Sequence, residues 1–338
     1  MTDIQNLGDV RALLQTLPGG DVQAAENARA REPQLTKPGG SLGRLEDIAE
    51  WLATWQGRHP ARVERIKVAV FAGNHGVTAQ GVSAFPPEVT FQMVANFEAG
   101  GAAINQLCGV AGADLEVVAL DLDNPTQDFS QEPAMDDAEC TAAFRRGMEA
   151  VGADYDVICL GEMGIGNTTP AAAIAHAIHG GEAGDWVGPG TGVEGDALAL
   201  KVRVVADAVQ RHKPAFGDGL DVLASVGGRE LAAIAGAITQ ARLNRQPVVL
   251  DGYVCGAAAA ALAAAAPGVL DHCIAGHVSA EPGHIRLLDK MGMAPLLNLG
   301  MRLGEASGAV VAVNLLKCAA ACHAGMATFG EAGVTDKD

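Results

Sequence analysis

Residues 156–179 read DVICLGEMGIGNTTPAAAIAHAIH. Asp156–Leu160 is an apolar run without polar alternation, the pattern of a strand buried on both faces. It breaks at a glycine-rich loop, Gly161–Thr169, and continues as an alanine-rich helical segment, Pro170–His179. Strand, glycine turn and helix in that order form the first half of a βαβ unit. Working outward, five more runs share this character: Ile66–Phe71, Leu115–Leu120, Val222–Val226, Pro247–Leu250 and Cys273–His277. Helical segments such as Leu198–His212 and Arg229–Leu243 separate them. The alternation predicts an α/β fold with a mostly parallel, six-stranded sheet flanked by helices.

The chain ends differ. Residues 1–60 look helical, with Leu45, Ile48, Trp51 and Leu52 at helical spacing, and residues 284–338 look helical again. The expected organisation is a large α/β domain over residues 61–283, carrying the site. A small helical domain would be built from 1–60 and 284–338. Asp123–Asp137, DNPTQDFSQEPAMDD, reads as a mobile polar loop.

The 338 residues include 23 Lys+Arg against 40 Asp+Glu, a formal charge of −17. Hydrophobic residues make up 49%, which excludes a disordered acidic chain. The acid excess argues against nucleic-acid binding, because phosphate backbones need clustered Lys and Arg. Val254–Ala266 is the most hydrophobic stretch and is shorter than the roughly 20 residues of a membrane span, so it reads as a buried helix. The seven cysteines contain no CxxC pair and no secretory signal stands out, so a reduced, cytoplasmic protein without membrane association is expected.

Polar and glycine residues concentrate after the strand runs. Gly73–Val77, Gly161–Thr169, Gly227–Glu230, Asp251–Tyr253 and Val278–His284 each follow one. In open α/β sheets, ligands bind outside the carboxyl ends of the strands. Gly161–Thr169 is the most informative loop. Thr168 or Thr169 is suited to cap the following helix and Pro170 to occupy its first helical position, which makes a phosphate site of loop and helix end. No GxxxxGK[ST] or GxGxxG occurs. A second cluster, Gly188–Gly192, can close over the same ligand or be a plain turn. Glu162 lies within the main loop. Glu305 lies in RLGEASGA, either paired with Arg302 or acting as a base of raised pKa among apolar neighbours. His75 is suited to orient a ligand or to a structural hydrogen bond. The groups His277/Glu281/His284 and Cys318/Cys322/His323 match no standard zinc spacing, so no metal is expected.

Taken together, these segments resemble the nicotinate-nucleotide–dimethylbenzimidazole phosphoribosyltransferase family. The resemblance rests on Lys37–Glu46 (KPGGSLGRLE), Gly73–Val77 with Gly81–Ser83 and Val89–Thr90, Gly161–Thr169, Pro247–Gly252, His277–His284 and Arg302–Ala309. It runs from about residue 30 to 330. The chain departs from the family pattern at Asn74, often Asp, and at Ala306-Ser307, usually Gly-Thr or Gly-Ser.

The resemblance implies a Rossmann-like large domain, a small helical domain and a homodimer, without a cofactor. It also implies transfer of 5-phosphoribose from nicotinate mononucleotide to 5,6-dimethylbenzimidazole. Glu305 corresponds to the general base. Glu162, Gly164, Gly166, Asn167, Thr168, Gly190, Lys201 and Ser279 would hold the nucleotide. Phe85, Met93 and Met163 would hold the benzimidazole, with His75 and Asp251 in support. Two rivals are a non-catalytic sensor on the same fold and a nicotinamide-dependent oxidoreductase. The second lacks the dinucleotide fingerprint.

Overall fold

The computed structural model describes residues 4–335. Among them, five strands form one parallel sheet: β1 Ile66–Ala72, β2 Ala113–Ala119, β3 Val157–Met163, β4 Val248–Leu250 and β5 Cys273–Ala275. Their order is β2-β1-β3-β4-β5, a doubly wound arrangement in which the winding reverses between β1 and β3.

The expected sixth strand does not form. Val222–Val226 is the end of a helix, Gly219–Val226, entered through Asp218, whose carboxylate accepts the amides of Leu220 and Asp221. Every side of this short helix except Asp221 and Ala224 is buried, so its sequence shows no helical stripe. Of the segment Gly227–Glu230, Gly227 and Gly228 therefore join two helices rather than following a strand, and Arg229 and Glu230 begin helix Arg229–Leu243.

Alternate strand residues feed two cores, as the period of two requires. Ala69, Phe71, Ile158, Leu160, Val248 and Leu250 face one core, shared with helices Thr168–His179, Arg229–Leu243 and Tyr253–Ala265. Val68, Val70, Val157, Cys159 and Val249 face the other, shared with Arg44–Gln56, Ala103–Ala111 and Ser307–Gly325. Helix Leu7–Leu14 joins the first core and packs on Asp137–Glu149, whereas Val22–Arg31 and Arg44–Gln56 pack with the C-terminal helix, directly or through each other. Ser307–Gly325 is long and apolar enough to cross a membrane by length and composition alone. In this fold it lies against β3, β4 and Arg44–Gln56, with Ala309, Val310, Ala312, Val313 and Leu316 buried.

The Asp123–Asp137 segment is irregular but anchored, contrary to the expectation of a mobile loop. Thr126 donates its amide to Asn74, and Ala134 and Met135 donate to Ser225 and Ala224, while Phe129 is fully buried.

Helices Asp137–Glu149 and Arg229–Leu243 approach through paired glycines. A Cβ at Gly147 would lie 1.8 Å from the Ala233 carbonyl oxygen, and one at Gly236 would lie 1.8 Å from that of Phe144. Gly147→Ala is expected to cost about 1–3 kcal/mol by overpacking. Gly109→Ala, in an exposed helix position with open space around it, should gain about 0.5–1 kcal/mol. Urea unfolding of the two variants checks the opposite signs.

Candidate active site

The reversal between β1 and β3 leaves a crevice at the carboxyl edge of the sheet, where the loops leaving β3, β4 and β5 converge. With Phe85 on one rim and Arg302–Gly304 on another, they line a cleft of about 250 Å³.

One end of the cleft combines a helix N-terminus with a buried ammonium. Gly164–Asn167 leads into helix Thr168–His179. Asn167 occupies the cap position, so neither expected threonine does, and Pro170 is the third helical residue. The Lys201 ammonium, almost fully buried, donates to Thr168 Oγ1 (2.7 Å) and to the Gly188 carbonyl (3.0 Å). Burial lowers its pKa to about 8, opposed by the Glu281 charge. Glu281, which sequence reasoning assigned no role beyond a weak metal pattern, accepts the Gly190 amide (3.0 Å), and Arg302 donates to the Gly190 carbonyl (3.0 Å). Arg302 is thus engaged with the glycine loop, and no ion pair forms between it and Glu305 among the described residues.

The other feature is a group of buried carboxylates. Glu162 ends β3 and accepts a short hydrogen bond from Asn167. Burial first, and then the Asp251 charge, raise its pKa to about 8. Glu305 is 5% exposed, and burial followed by Asp251 raises it to about 7. Its amide donates to the Glu162 carbonyl (3.2 Å), and its Oε2 has no hydrogen-bond partner among the described residues. Gly304, Glu305 and Ala306 all have positive φ (84°, 62° and 63°), a run that non-glycine residues rarely adopt. Asp251 follows β4 and accepts the amides of Gly308 and Ala309.

The remaining sequence candidates divide. Gly164, Gly166, Asn167, Thr168, Gly190, Ser279, Phe85 and Met163 line the cleft with Glu162. Lys201 reaches it through Thr168. Met93, on helix Glu88–Glu98, packs against the second core and does not line the cleft. His75 lies beneath the Gly164 loop, its Nε2 2.8 Å from Glu230 Oε1, both side chains fully buried. Sequence reasoning missed Glu230 as a partner of His75; its only signal was its position in a loop at the edge of the site. No group of three or more His, Cys, Asp or Glu side chains suited to a metal ion occurs among the described residues.

A glycine loop at a helix end beside a buried ammonium, next to carboxylates of high proton affinity, is compatible with the enzymes of glycosyl transfer, to which phosphoribosyltransferases belong. A family model described as "Phosphoribosyltransferase" matches residues 17–334. Similar proteins include the nicotinate-nucleotide–dimethylbenzimidazole phosphoribosyltransferases of Ruegeria pomeroyi, 61% identical over 333 residues (98% of each chain), and Rhizobium leguminosarum, 58% identical over 330 residues (98% of this chain, 97% of that one). The crystal structure of CobT from Thermus thermophilus matches with a TM-score of 0.88 and 43% identity, over 93% of this chain and all of that one. The chain belongs to the nicotinate-nucleotide–dimethylbenzimidazole phosphoribosyltransferase family.

Glu162 binds its proton more tightly in the folded chain than in the unfolded one. Stability is therefore lost as pH rises from the ordinary carboxylate range near 4.5 toward 8. Glu162→Gln keeps an acceptor for Asn167 and removes the ionisation. It should raise the melting temperature, with the gain growing over that range to the order of a few kcal/mol. Superimposable melting curves of the two proteins at pH 5 and at pH 8 would contradict this.

Proposed function

We propose that this chain transfers the 5-phosphoribosyl group of nicotinate mononucleotide to 5,6-dimethylbenzimidazole with inversion. The products are nicotinate and α-ribazole 5′-phosphate, for assembly of the nucleotide loop of cobalamin. The names of its full-length relatives support the substrates. The observation that carries the mechanism is Glu305, a buried carboxylate with a free oxygen, raised to about 7 and joined through its amide to the end of β3.

Nicotinate leaves from a ribosyl pyridinium that already bears positive charge. Departure neutralises the ring and needs no acid. The reaction does need removal of the N–H proton of the incoming benzimidazole. Glu305 takes it as the other ring nitrogen attacks the sugar carbon on the face opposite nicotinate, giving the β-to-α inversion. A proton affinity near neutrality suits a base that must be ionised before attack and protonated after it. Glu162 accompanies the positive charge of the ribosyl centre. A cationic substrate beside it favours its ionised form, against the burial that otherwise holds it protonated. The 5′-phosphate is held by the glycine loop at the N-terminus of helix Thr168–His179 and by Lys201, with Gly190 and Ser279 closing the nucleotide side. Phe85 and Met163 offer the benzimidazole an apolar wall, with Met93 behind.

In the same reading the enzyme is a cytoplasmic homodimer. Helices Val22–Arg31, Arg44–Gln56 and Ser307–Gly325 form a smaller unit on the α/β domain, with boundaries near residues 60 and 284, whereas Leu7–Leu14 belongs with the α/β core.

Incubation with nicotinate mononucleotide and dimethylbenzimidazole should release nicotinate and α-ribazole 5′-phosphate in equal amounts. Nicotinate release independent of the base would contradict the transfer. Glu305→Gln should lower kcat at least about a hundredfold while retaining nucleotide binding. The wild-type kcat/KM should fall on the acid side with a midpoint near 7, because Glu305 acts only when ionised. Lys201→Ala should weaken nucleotide affinity by about 10–100-fold, the worth of a charged hydrogen bond to phosphate, measured by calorimetric titration.

A further inference from the structure

We propose that Asp251 is a positioning residue for Glu305: from the end of β4 it caps the helix that follows Glu305 and so fixes that carboxylate directly behind Arg302–Gly304, which line the cleft. The proposal rests on reading Glu305 as the base.

Helix Ser307–Gly325 starts without a cap of its own. Its cap position is Ala306, which has no side-chain acceptor and sits at φ +63°. The second and third helical amides, those an N-cap side chain ordinarily satisfies, belong to Gly308 and Ala309. Both donate to Asp251 Oδ1, at 2.7 and 3.0 Å. A carboxylate from another part of the chain thus does the work of the missing cap. Asp251 is 1% exposed, and its charge faces a helix N-terminus.

A cap borrowed in this way constrains more than the helix. Gly304, Glu305 and Ala306 form a left-handed run that must be held from outside. On one side the Glu305 amide is tied to the Glu162 carbonyl, and on the other the helix start is tied to Asp251. Releasing the second tie lets the run relax and withdraws the Glu305 carboxylate. The titratable groups facing Asp251 are His277, whose Nε2 is 3.4 Å from Oδ1, the carboxyls of Glu162 and Glu305, and the buried thiols of Cys159 and Cys255. The Asp251 charge adds to burial in making both carboxyls harder to ionise.

Asparagine keeps an acceptor for the two amides and loses the charge, whereas alanine loses both. Steady-state kinetics against pH should therefore separate the two variants. Asp251→Ala should lower the plateau kcat at least about tenfold, as misplacement of a catalytic group does, with a smaller change in KM. Asp251→Asn should recover most of that loss and move the acid limb of kcat/KM to lower pH by roughly half a unit or more. Equal plateau kcat in the alanine and asparagine proteins overturns the proposal. Should the alanine protein not fold, Asp251→Ser, whose hydroxyl is too short to reach the amides, takes its place under the same criterion. Glu305→Gln run alongside keeps the two readings distinct, since near-normal turnover there overturns the base assignment and not the capping.

Discussion

The site depends on one approach of backbone to backbone. A Cβ at Gly161, within β3, would lie 2.1 Å from the amide nitrogen of Ala306. Only glycine lets the C-terminal segment lie flat on the end of the central strand. Once there, Glu305 donates its amide to Glu162, and the following helix runs back over β3 and β4 with its first turn on Asp251. The strand thus brings one carboxylate of the site, and its glycine admits the segment bearing another. Distant parts of the chain meet because a side chain is missing at one position.

That meeting creates an electrostatic problem which the chemistry can use. Glu162, Asp251 and Glu305 share a volume with little water, and Glu162 and Glu305 are each pushed toward the protonated form by burial and by the Asp251 charge. Ionising all three with no cation beside them is costly, because like charges at low dielectric repel and each lacks solvation. A cationic pyridinium nucleotide relieves the crowding, so the cleft favours a substrate with positive charge at the sugar and negative charge at its phosphate. The buried ammonium of Lys201 lies at the other end, engaged with Thr168 beside the glycine loop. A chain of net charge −17 needs no basic surface for such a ligand.

Much of this was legible in the sequence, for identifiable reasons. The inner strands were, because a strand buried on both faces is mostly apolar without alternation; the edge strand β2, with Asp114 and Glu116 in it and only Val118 buried, was found through its apolar second half. The same rule failed at Val222–Val226, where a short helix buried nearly all round is equally unbroken; the better signal was Asp218 three residues before Asp221, a capping pair. Asp123–Asp137 looked mobile by composition, yet Phe129 and backbone hydrogen bonds to Asn74, Gly76, Ala224 and Ser225 anchor it, and pairing with remote backbone leaves no local trace. Asp251 as a cap, Glu281 on Gly190 and Glu230 beside His75 were illegible for the same reason. Each acid acts on a group far away in the chain.

The glycines show how far composition can carry such a reading. Clustered at strand ends, they suggested a backbone opened toward a ligand, and Gly164 and Gly166 do line the cleft. Several others do a different job. Cβ atoms at Gly73 and Gly188 would meet the carboxylate oxygens of Glu230 and Glu281 at 2.4 and 2.1 Å, and one at Gly228 would meet His75 Cε1 at 2.4 Å. These positions are filled by polar side chains packed against bare backbone. Their absent methyls let buried acids sit close under the loops, where the acids hold the loops in shape. Glycine at a strand end is therefore ambiguous by itself: it can make room for a substrate or for the carboxylate that fixes the substrate's loop. Which of the two applies depends on whether a buried acid lies beyond it, a long-range fact that no count of glycines contains.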